Sequence, residues 1–213
     1  MVEPDPRAVG LFQFTIITWG TANFVDFPWR HTENQWHALA AEVMLQRTRA
    51  EQVVPVFREF SERYTTPLDF LKDPDGIRLF SRLGLLWRAR PFLDLAALLS
   101  GASAIPSDRK VLLTLPGIGD YIASAFRSLH LGIRDTIIDS NVVRIYGRFF
   151  GFRTTPETRR LKAFIELAER ITPSEKFRAF NYGLIDFTRA ICRPRPRCSE
   201  CPLQDACRSR SAS

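Results

Sequence analysis

The sequence predicts an all-α protein, and three observations support that fold class. Apolar residues recur at the spacing of an amphipathic helix along most of the chain. Strand-like alternation of apolar and polar residues is nearly absent. Most of the periodic runs begin at a capping residue or end at a glycine, as helices do. We therefore expect short helices joined by short loops.

Two capping signatures predict the first pair of helices. Thr32 and Gln35 form a capping box in front of the first helix. Its apolar face comprises Trp36, Leu39, Ala40, Val43 and Met44. Glu42 is expected at the edge of that face. Thr48 and Glu51 repeat the box, and the next helix is lined by Val53, Phe57, Phe60 and Tyr64.

Start and stop signals predict the remaining helices. They span residues 74–83, 86–99, 107–115, 141–149, 156–171 and 174–191. Gly84 and Gly101 are the expected stops of the first two, because glycine readily adopts the left-handed conformation that ends many helices.

The charge of the chain favours a polyanionic partner. The 213 residues carry a formal net charge of +7, and cations that neutralise phosphates release condensed counterions. A basic protein without such a partner is the alternative. No run reaches the roughly 18 to 20 apolar residues of a membrane span, and the amino terminus is acidic and proline-rich, unlike a signal peptide. We expect the chain in the cytoplasm, at the nucleoid in a prokaryote, with no membrane partner.

Residues 115–119, which read LPGIG, predict a tight turn between two helices. Its glycines permit backbone angles that other residues avoid. Amide N–H groups remain available at the start of the next helix, which Asp120 would cap, and with the helix dipole they suit a phosphate. Taken alone, the pattern fits an ordinary helical hairpin equally well.

All four cysteines lie in one short segment. They are Cys192, Cys198, Cys201 and Cys207, separated by five, two and five residues. Four thiolates this close in sequence could hold one iron–sulfur cluster or one zinc ion, and the spacing alone does not choose between them.

The same segment is basic. Residues 189–213 contain six arginines against two acidic residues. Arg193, Arg195 and Arg197 alternate with prolines, whose stiff backbone suits contact with phosphates. A solvated tail is the alternative.

These motifs together resemble the helix-hairpin-helix DNA glycosylases, the superfamily of endonuclease III and MutY. Residues 115–123, LPGIGDYIA, and 138–144, IDSNVVR, match in letters, order and spacing. Residues 27–30, 41–48 and 84–90 and the cysteine segment match as well, so the resemblance covers nearly the whole chain. One departure is the first cysteine gap, which has five residues where the family usually has six.

The resemblance implies two domains. A six-helix barrel domain with the hairpin would span 32–131. A second helical domain, formed by 1–31 and 132–213, would carry a structural [4Fe-4S] cluster on the four cysteines. Double-stranded DNA with a mismatched or damaged base would lie across the cleft between them, and the protein is expected to be a monomer.

At the hairpin, the resemblance implies two binding roles. The residues that would grip a DNA phosphate are Pro116, Gly117, Ile118 and Gly119. An alkali-metal ion would use the carbonyls around Leu113, Leu115 and Ile118.

The resemblance also implies two catalytic carboxylates. Asp139 occupies the family's catalytic aspartate position, where a carboxylate stabilises the positive charge that builds on the deoxyribose as the base leaves. The Asp-Ser-Asn sequence also makes Asp139 a candidate helix N-cap. Glu42 lies where MutY-type enzymes carry a second carboxylate, which relieves charge on the leaving base. A solvated glutamate is the alternative for Glu42.

Tyr121 departs from both namesakes of the superfamily. Endonuclease III proteins have a lysine here that forms a Schiff base and permits strand cleavage, which a phenol cannot do. MutY-type enzymes usually have serine, whereas the MIG-type thymine mismatch glycosylases resemble this chain in having tyrosine. Residues 180–187 also look more like the MIG type. The resemblance therefore implies a glycosylase without β-lyase activity, although Tyr121 could be ordinary packing.

An enzyme that acts on a paired base must flip it out and fill the gap. By position, Arg47 and Leu85 resemble the family's wedge residues, and Gln46 is a further candidate. Leu85 could equally belong to a core, and Arg47 could contact a phosphate.

The leading hypothesis is removal of thymine or uracil opposite guanine in base excision repair. The alternative is a MutY-like adenine glycosylase acting on A:G or A:8-oxoguanine pairs, although such proteins normally carry a further carboxyl-terminal domain. A non-catalytic DNA-binding module is a third hypothesis, which retention of both carboxylates disfavours.

Overall fold

The structure is a computed structural model that describes residues 4–84 and 86–210. This part of the chain contains helices and turns and no strand, which confirms the predicted all-α class. The α-helices are α1 (Pro6–Ala22), α2 (Gln35–Met44), α3 (Ala50–Arg63), α4 (Pro67–Lys72), α5 (Arg78–Ser81), α6 (Leu86–Ser100), α7 (Arg109–Leu112), α8 (Asp120–Ala125), α9 (Ser140–Phe150), α10 (Lys162–Ile171) and α11 (Phe177–Ala190). A π-helix, Phe126–His130, continues α8. None of the helices in the described ranges combines the length and apolar character that a membrane span needs.

The chain divides into two compact units. We call Asp26–Leu131 the central unit, and the described residues of Met1–Val25 and Gly132–Ser213 the terminal unit. The central unit contains α2 to α8, and the terminal unit contains α1 and α9 to α11. The assignment of 32–131 to a barrel domain and of the remaining residues to a cluster domain stays a prediction.

Aromatic rings fill the core of the central unit. Trp36 of α2 stacks on Phe92 of α6 with ring centroids 5.0 Å apart. Phe80 of α5 lies 4.5 Å from Phe92, and Phe60 and Phe70 meet at 5.8 Å. All five side chains are buried. Stacked and tilted ring pairs of this kind stabilise a core beyond the effect of buried area alone.

In the terminal unit, α1 packs along α11 at two glycines. A Cβ atom on Gly20 would lie 2.4 Å from the Cα of Gly183, and one on Gly183 would lie 2.5 Å from the carbonyl oxygen of Ile16. The two backbones are therefore in direct contact, which only glycine allows. Earlier in α1, Phe12 packs edge-on against Tyr146 of α9, with ring centroids 5.6 Å apart.

Two predicted helix starts are wrong. The N-cap of α2 is Asn34 rather than Thr32, because the Asn34 side chain accepts the amides of the second and third helical residues at 2.9 and 3.2 Å. The N-cap of α3 is Arg49 rather than Thr48. The Thr48 hydroxyl instead donates to the carbonyl of Gln46 at 3.3 Å.

Several predicted helices are shorter in the structure. The helix expected over 74–83 is reduced to α5, because the Gly76 amide donates to the Asp73 carbonyl at 3.1 Å and closes a turn. The helix expected over 107–115 is reduced to α7, capped by Asp108. The first part of 156–171 is a 3-10 turn, Thr158–Arg160, ahead of α10. Helices α6, α9 and α11 match their predicted spans to within three residues, whereas α1 and α4 are absent from the prediction.

Candidate active site

Glu42 lies deep in the central unit. Helix α2 is buried on all sides from Ala38 to Met44, and Glu42 is only 2% exposed. Its expected place at the edge of an apolar face is therefore wrong. The Oε1 atom lies 2.9 Å from Nε2 of His130, whose side chain is 3% exposed. A buried carboxyl group is costly unless it is hydrogen-bonded, and His130 supplies a partner for that bond. Sequence reasoning missed His130, because the two residues are 88 positions apart.

The predicted hairpin connects α7 and α8. Gly117 has φ +76°, in the left-handed region that favours glycine. A Cβ atom there would lie 3.3 Å from Cβ of Pro91. Ile118 is buried, and its amide donates to the Leu115 carbonyl at 3.2 Å. The turn is therefore held from inside by Ile118, with both glycines exposed. Phosphate binding here, and an ion on the carbonyls around Leu113, stay predictions.

The helix after the hairpin begins differently from the prediction. Gly119 is the N-cap of α8, and Asp120 is its first residue. The carboxylate of Asp120 accepts a hydrogen bond from Nη2 of Arg109 at 2.7 Å, so its predicted role as the cap is wrong. Tyr121 is half-buried in the first turn of α8, which packs against α2. Tyr121 and Glu42 thus lie on neighbouring helices.

A cluster of cations around an indole ring lies beyond the end of α2. Gln46 is half-buried, and Arg47 is exposed with φ +56°, a conformation uncommon outside glycine. The guanidinium of Arg47 lies 5.9 Å from the centroid of Trp87, and that of Arg88 lies 4.5 Å from it. Trp87 is 60% exposed. Such a platform can stack on a base. The predicted wedge residue Leu85 lies outside the described residues.

Arg88 is the buried member of this cluster, at 3% exposure. Its Nη1 donates to the Val43 carbonyl at 2.8 Å. Among the described residues, Nε and Nη2 have no hydrogen-bond partner. Burial, aided by the charge of Arg47, lowers the pKa of Arg88 to about 10. Arg88 lines a cavity of ≈ 40 Å³ together with Gln46 and Gly117, among others. The sequence does not distinguish this residue from Arg90, which lies two positions later in the same helix and is exposed.

Asp139 is the N-cap of α9 in the terminal unit. Its Oδ1 accepts the amides of Asn141 and Val142 at 2.9 and 2.8 Å. Its Oδ2 accepts a hydrogen bond from the Asn141 side chain at 2.6 Å. The capping role is confirmed, and these bonds fix the orientation of the carboxylate. Its catalytic role stays a prediction.

Arg144 connects this cap to the cysteine segment. Its Nη1 donates to Oδ1 of Asn141 at 2.8 Å, and its Nε donates to the carbonyl of Cys192 at 3.0 Å. Burial lowers the pKa of Arg144, while the negative charges of Cys192 and Asp139 act in the opposite direction. The position of Asp139 is therefore coupled to the start of the cysteine segment.

The cysteines gather around the carboxyl-terminal end of α9. Cys192, Cys201 and Cys207 are half-buried against the terminal-unit core, and Cys198 is exposed. Arg148 lies between two of them: its Nη1 donates to Sγ of Cys192 at 3.7 Å, and its carbonyl accepts from Sγ of Cys207 at 3.5 Å. The cysteine segment therefore folds back onto α9.

The thiols also influence one another's charge. Burial, together with the charges of the other three cysteines, raises the pKa of Cys201 to about 11. Grouped thiolates need positive charge nearby, which Arg148 and a metal centre would supply, so the chemistry of these side chains suits a thiolate-ligated metal. Within residues 4–84 and 86–210, no three histidine, cysteine or acidic side chains are close enough to form a metal-binding group. The ligand set stays a prediction.

The basic loop between the first two cysteines is exposed. The Nε atom of Arg193 donates to the carbonyl of Arg195 at 3.1 Å. Arg197 forms an ion pair with Glu200 at 3.4 Å. The loop therefore presents cations to solvent, and DNA contact by these arginines stays a prediction, as do the monomeric state and the location in the cell.

Two solved structures share this fold. The structure of a thermostable thymine-DNA glycosylase matches with a TM-score of 0.89 and 34% identity, covering 97% of this chain and 98% of that one. An endonuclease III in a non-covalent complex with DNA matches with a TM-score of 0.78 and 22% identity, covering 96% and 97%. The fold and its hairpin are those of the helix-hairpin-helix DNA glycosylases.

A sequence relative indicates which group of helix-hairpin-helix DNA glycosylases this chain belongs to. A thymine/uracil-DNA glycosylase of Methanothermobacter thermautotrophicus is 36% identical over 203 residues, which are 92% of this chain and 92% of the relative. No protein-family model matches the chain. The chain belongs to the helix-hairpin-helix DNA glycosylase superfamily, in the group of the thymine/uracil-DNA glycosylases.

Proposed function

We propose that this protein removes thymine or uracil opposite guanine from duplex DNA by hydrolysing the N-glycosidic bond. The match to a thymine/uracil-DNA glycosylase over 92% of both chains carries the proposal. Tyr121, Glu42 and Asp139 support it, because they stand at the positions expected for the MIG type. T:G and U:G pairs arise when 5-methylcytosine or cytosine loses its amino group, so the reaction begins base excision repair.

In this mechanism Asp139 acts on the sugar. The bond between C1′ and N1 breaks with its electron pair on the base, and positive charge develops on the deoxyribose. A carboxylate held in one orientation stabilises that charge without reorganising, and the amides of Asn141 and Val142 hold Asp139 in this way. Water then bonds to C1′ and releases a proton to solvent, which leaves an abasic site.

Glu42 acts on the base. The leaving pyrimidine carries the electron pair of the broken bond, and a proton or hydrogen bond from Glu42 relieves that charge. Tyr121 has no amine to attack the sugar, so no Schiff base forms and the DNA strand stays intact. The protein is therefore proposed to be a glycosylase without β-lyase activity.

The four cysteines are proposed to hold a [4Fe-4S] cluster. The partial burial of Cys192, Cys201 and Cys207 against one core and the cation of Arg148 support a thiolate-ligated centre, and the resemblance to the family favours iron over zinc. The cluster would supply a cross-link that holds the basic loop in place. Purified protein should be brown and contain iron and sulfide. A colourless protein with bound zinc would overturn the assignment.

The test of the proposed function is single-turnover base release from matched duplexes containing T:G, U:G, A:G or A:8-oxoguanine, with alkali to cleave abasic sites. Asp139→Asn is the control. We expect release from T:G and U:G only, and its loss in the control. Release from the adenine pairs alone would instead identify a MutY-like enzyme. Binding without any abasic product would identify a DNA-binding module.

A further inference from the structure

The contact between Glu42 and His130 joins two ionisable side chains that are both 3% exposed. The proposed function assigns a role to Glu42 and none to His130. Resting on that function, we propose that His130 is a positioning residue for Glu42. It donates its Nε2–H to Oε1 and thereby reserves the second oxygen, Oε2, for the leaving base.

The surroundings of Glu42 leave the orientation of its carboxyl group to the contact with His130. Leu39 and Ala38, three and four positions before it on the same face of α2, are buried and apolar, and the helix is buried around them. The terminal torsion of a glutamate is soft, so packing alone does not fix the carboxylate plane. In a dry environment a missing hydrogen bond is not replaced by water. The imidazole therefore determines which oxygen is available.

An irregular helix brings the imidazole to this place. The amide of Leu131 donates to the carbonyl of Phe126 at 3.1 Å, which is the bond pattern of a π-helix. Because one residue spans about 100° of a helical turn, the extra residue of a π-turn changes the direction of the side chains at its end and beyond it. The His130 ring is tilted by 34° to the Phe126 ring at 6.3 Å. The π-turn thus directs His130 at α2, and such turns are frequent at functional sites.

The hydrogen bond would strengthen as the reaction proceeds. In the general-acid role proposed for Glu42, the proton to be transferred is on Oε2, while Nε2–H of His130 donates to Oε1. As the C1′–N1 bond breaks, its electron pair goes to the base, and the proton of Oε2 moves to the base. Glu42 becomes a carboxylate, and solvent later returns the proton that the attacking water releases. A hydrogen bond to an anion is stronger than one to a neutral group, so His130 favours the transition state over the ground state.

A double-mutant cycle tests this role. We expect Glu42→Gln to lower the single-turnover rate constant for thymine release by about 10²- to 10⁴-fold. His130→Ala should lower it by about 10- to 100-fold, with the half-saturating enzyme concentration unchanged. In the Glu42→Gln background, His130→Ala should change the rate by less than about threefold, because His130 acts through Glu42. An equal loss in both backgrounds would overturn the proposal.

A second experiment asks which substitutions at position 130 restore the rate of base release. Glutamine at position 130 places an amide N–H at the reach of Nε2, whereas asparagine ends short of it. His130→Gln should therefore recover most of the rate, and His130→Asn should not. If thermal unfolding shows that His130→Ala is not folded, the comparison of His130→Gln with His130→Asn tests the proposal instead. Equal rates of base release in these two variants would overturn it. A wild-type protein that releases no base from any duplex refutes the proposed function itself. An active wild type matched by His130→Ala refutes the role of His130 alone.

Discussion

Replacement of Gly183 by alanine tests the packing of α1 against α11. A Cβ atom at this position would lie 2.5 Å from the carbonyl oxygen of Ile16 and 3.3 Å from the Cα of Gly20. Both neighbours are backbone atoms, so neither can rotate away. Gly10, in the same unit, is the matched control, since a Cβ atom there meets nothing within 4 Å.

The two substitutions share one effect and differ in another. Alanine in the interior of a helix is more stable than glycine by about 0.5–1 kcal/mol, and both variants receive this gain. Only Gly183→Ala must also separate two helices, and overpacking of this kind costs about 1–3 kcal/mol. At about 2–4 °C per kcal/mol for a chain of this size, the net loss corresponds to a fall of up to about 10 °C in Tm. Gly10→Ala should raise the Tm by about 1–4 °C.

The assay is thermal unfolding followed by far-ultraviolet circular dichroism, with urea unfolding as a check on the order of stability. The sign of the difference matters more than its size. If Gly183→Ala is as stable as Gly10→Ala, the close approach of the two backbones is wrong.

Three further predictions concern single side chains. Asp139→Asn keeps an acceptor for the cap, so its Tm should equal that of the wild type while base release falls by about 10²- to 10³-fold; Asp139→Ala should also lose about 1 kcal/mol of stability, and equal Tm values for the two variants would contradict the capping geometry. Tyr121→Lys should give a borohydride-trapped covalent complex with DNA, because an amine can form a Schiff base with the abasic sugar; trapping by the wild-type protein would contradict the assigned chemistry. The Tyr64 hydroxyl, 2.8 Å from Asp73, is the largest of the contacts that hold the pKa of that carboxyl below its usual 3.8. The stability that this bond provides is complete above that pH and is lost as the pH falls through the lower folded-state pKa. In Tyr64→Phe, the free energy of unfolding measured in urea should therefore fall less steeply between about pH 5 and pH 2 than in the wild type. An unchanged pH dependence would argue against the bond.

The parts of the fold that depend on local chemistry were predictable from the sequence. The Asp139 cap and the stop at Gly101 are signals that act within one or two turns of a helix. Helix α1 was missed although it has local signals, since Asp5 caps it and Phe12, Ile16 and Gly20 recur at helical spacing. Its contact with α11 has no such signal. No local pattern shows that two distant glycines meet.

In the candidate site, too, the residues within continuous motifs were predictable, and those defined by long-range contacts were not. Asp139 and the hairpin were found because the motifs that contain them are continuous in sequence. The burial of Glu42 was not, since a glutamate among alanines is expected to be exposed until its partner is known. His130 and Arg88 were missed for the same reason, because each is defined by a contact with α2 rather than by its neighbours in sequence.

The pairing of α1 with α11 has a consequence for how the protein is made. Roughly 150 residues separate the two helices, which at about 5–20 residues per second means that α1 is synthesised about 8–30 s before its partner. All residues of the central unit are synthesised within that interval. Phe12 can pack against α9 before α11 is made, but the face of α1 that carries Ile16 and Gly20 has no partner until then and is open to chaperones or to other nascent chains. The first helix to be translated is therefore among the last to be buried.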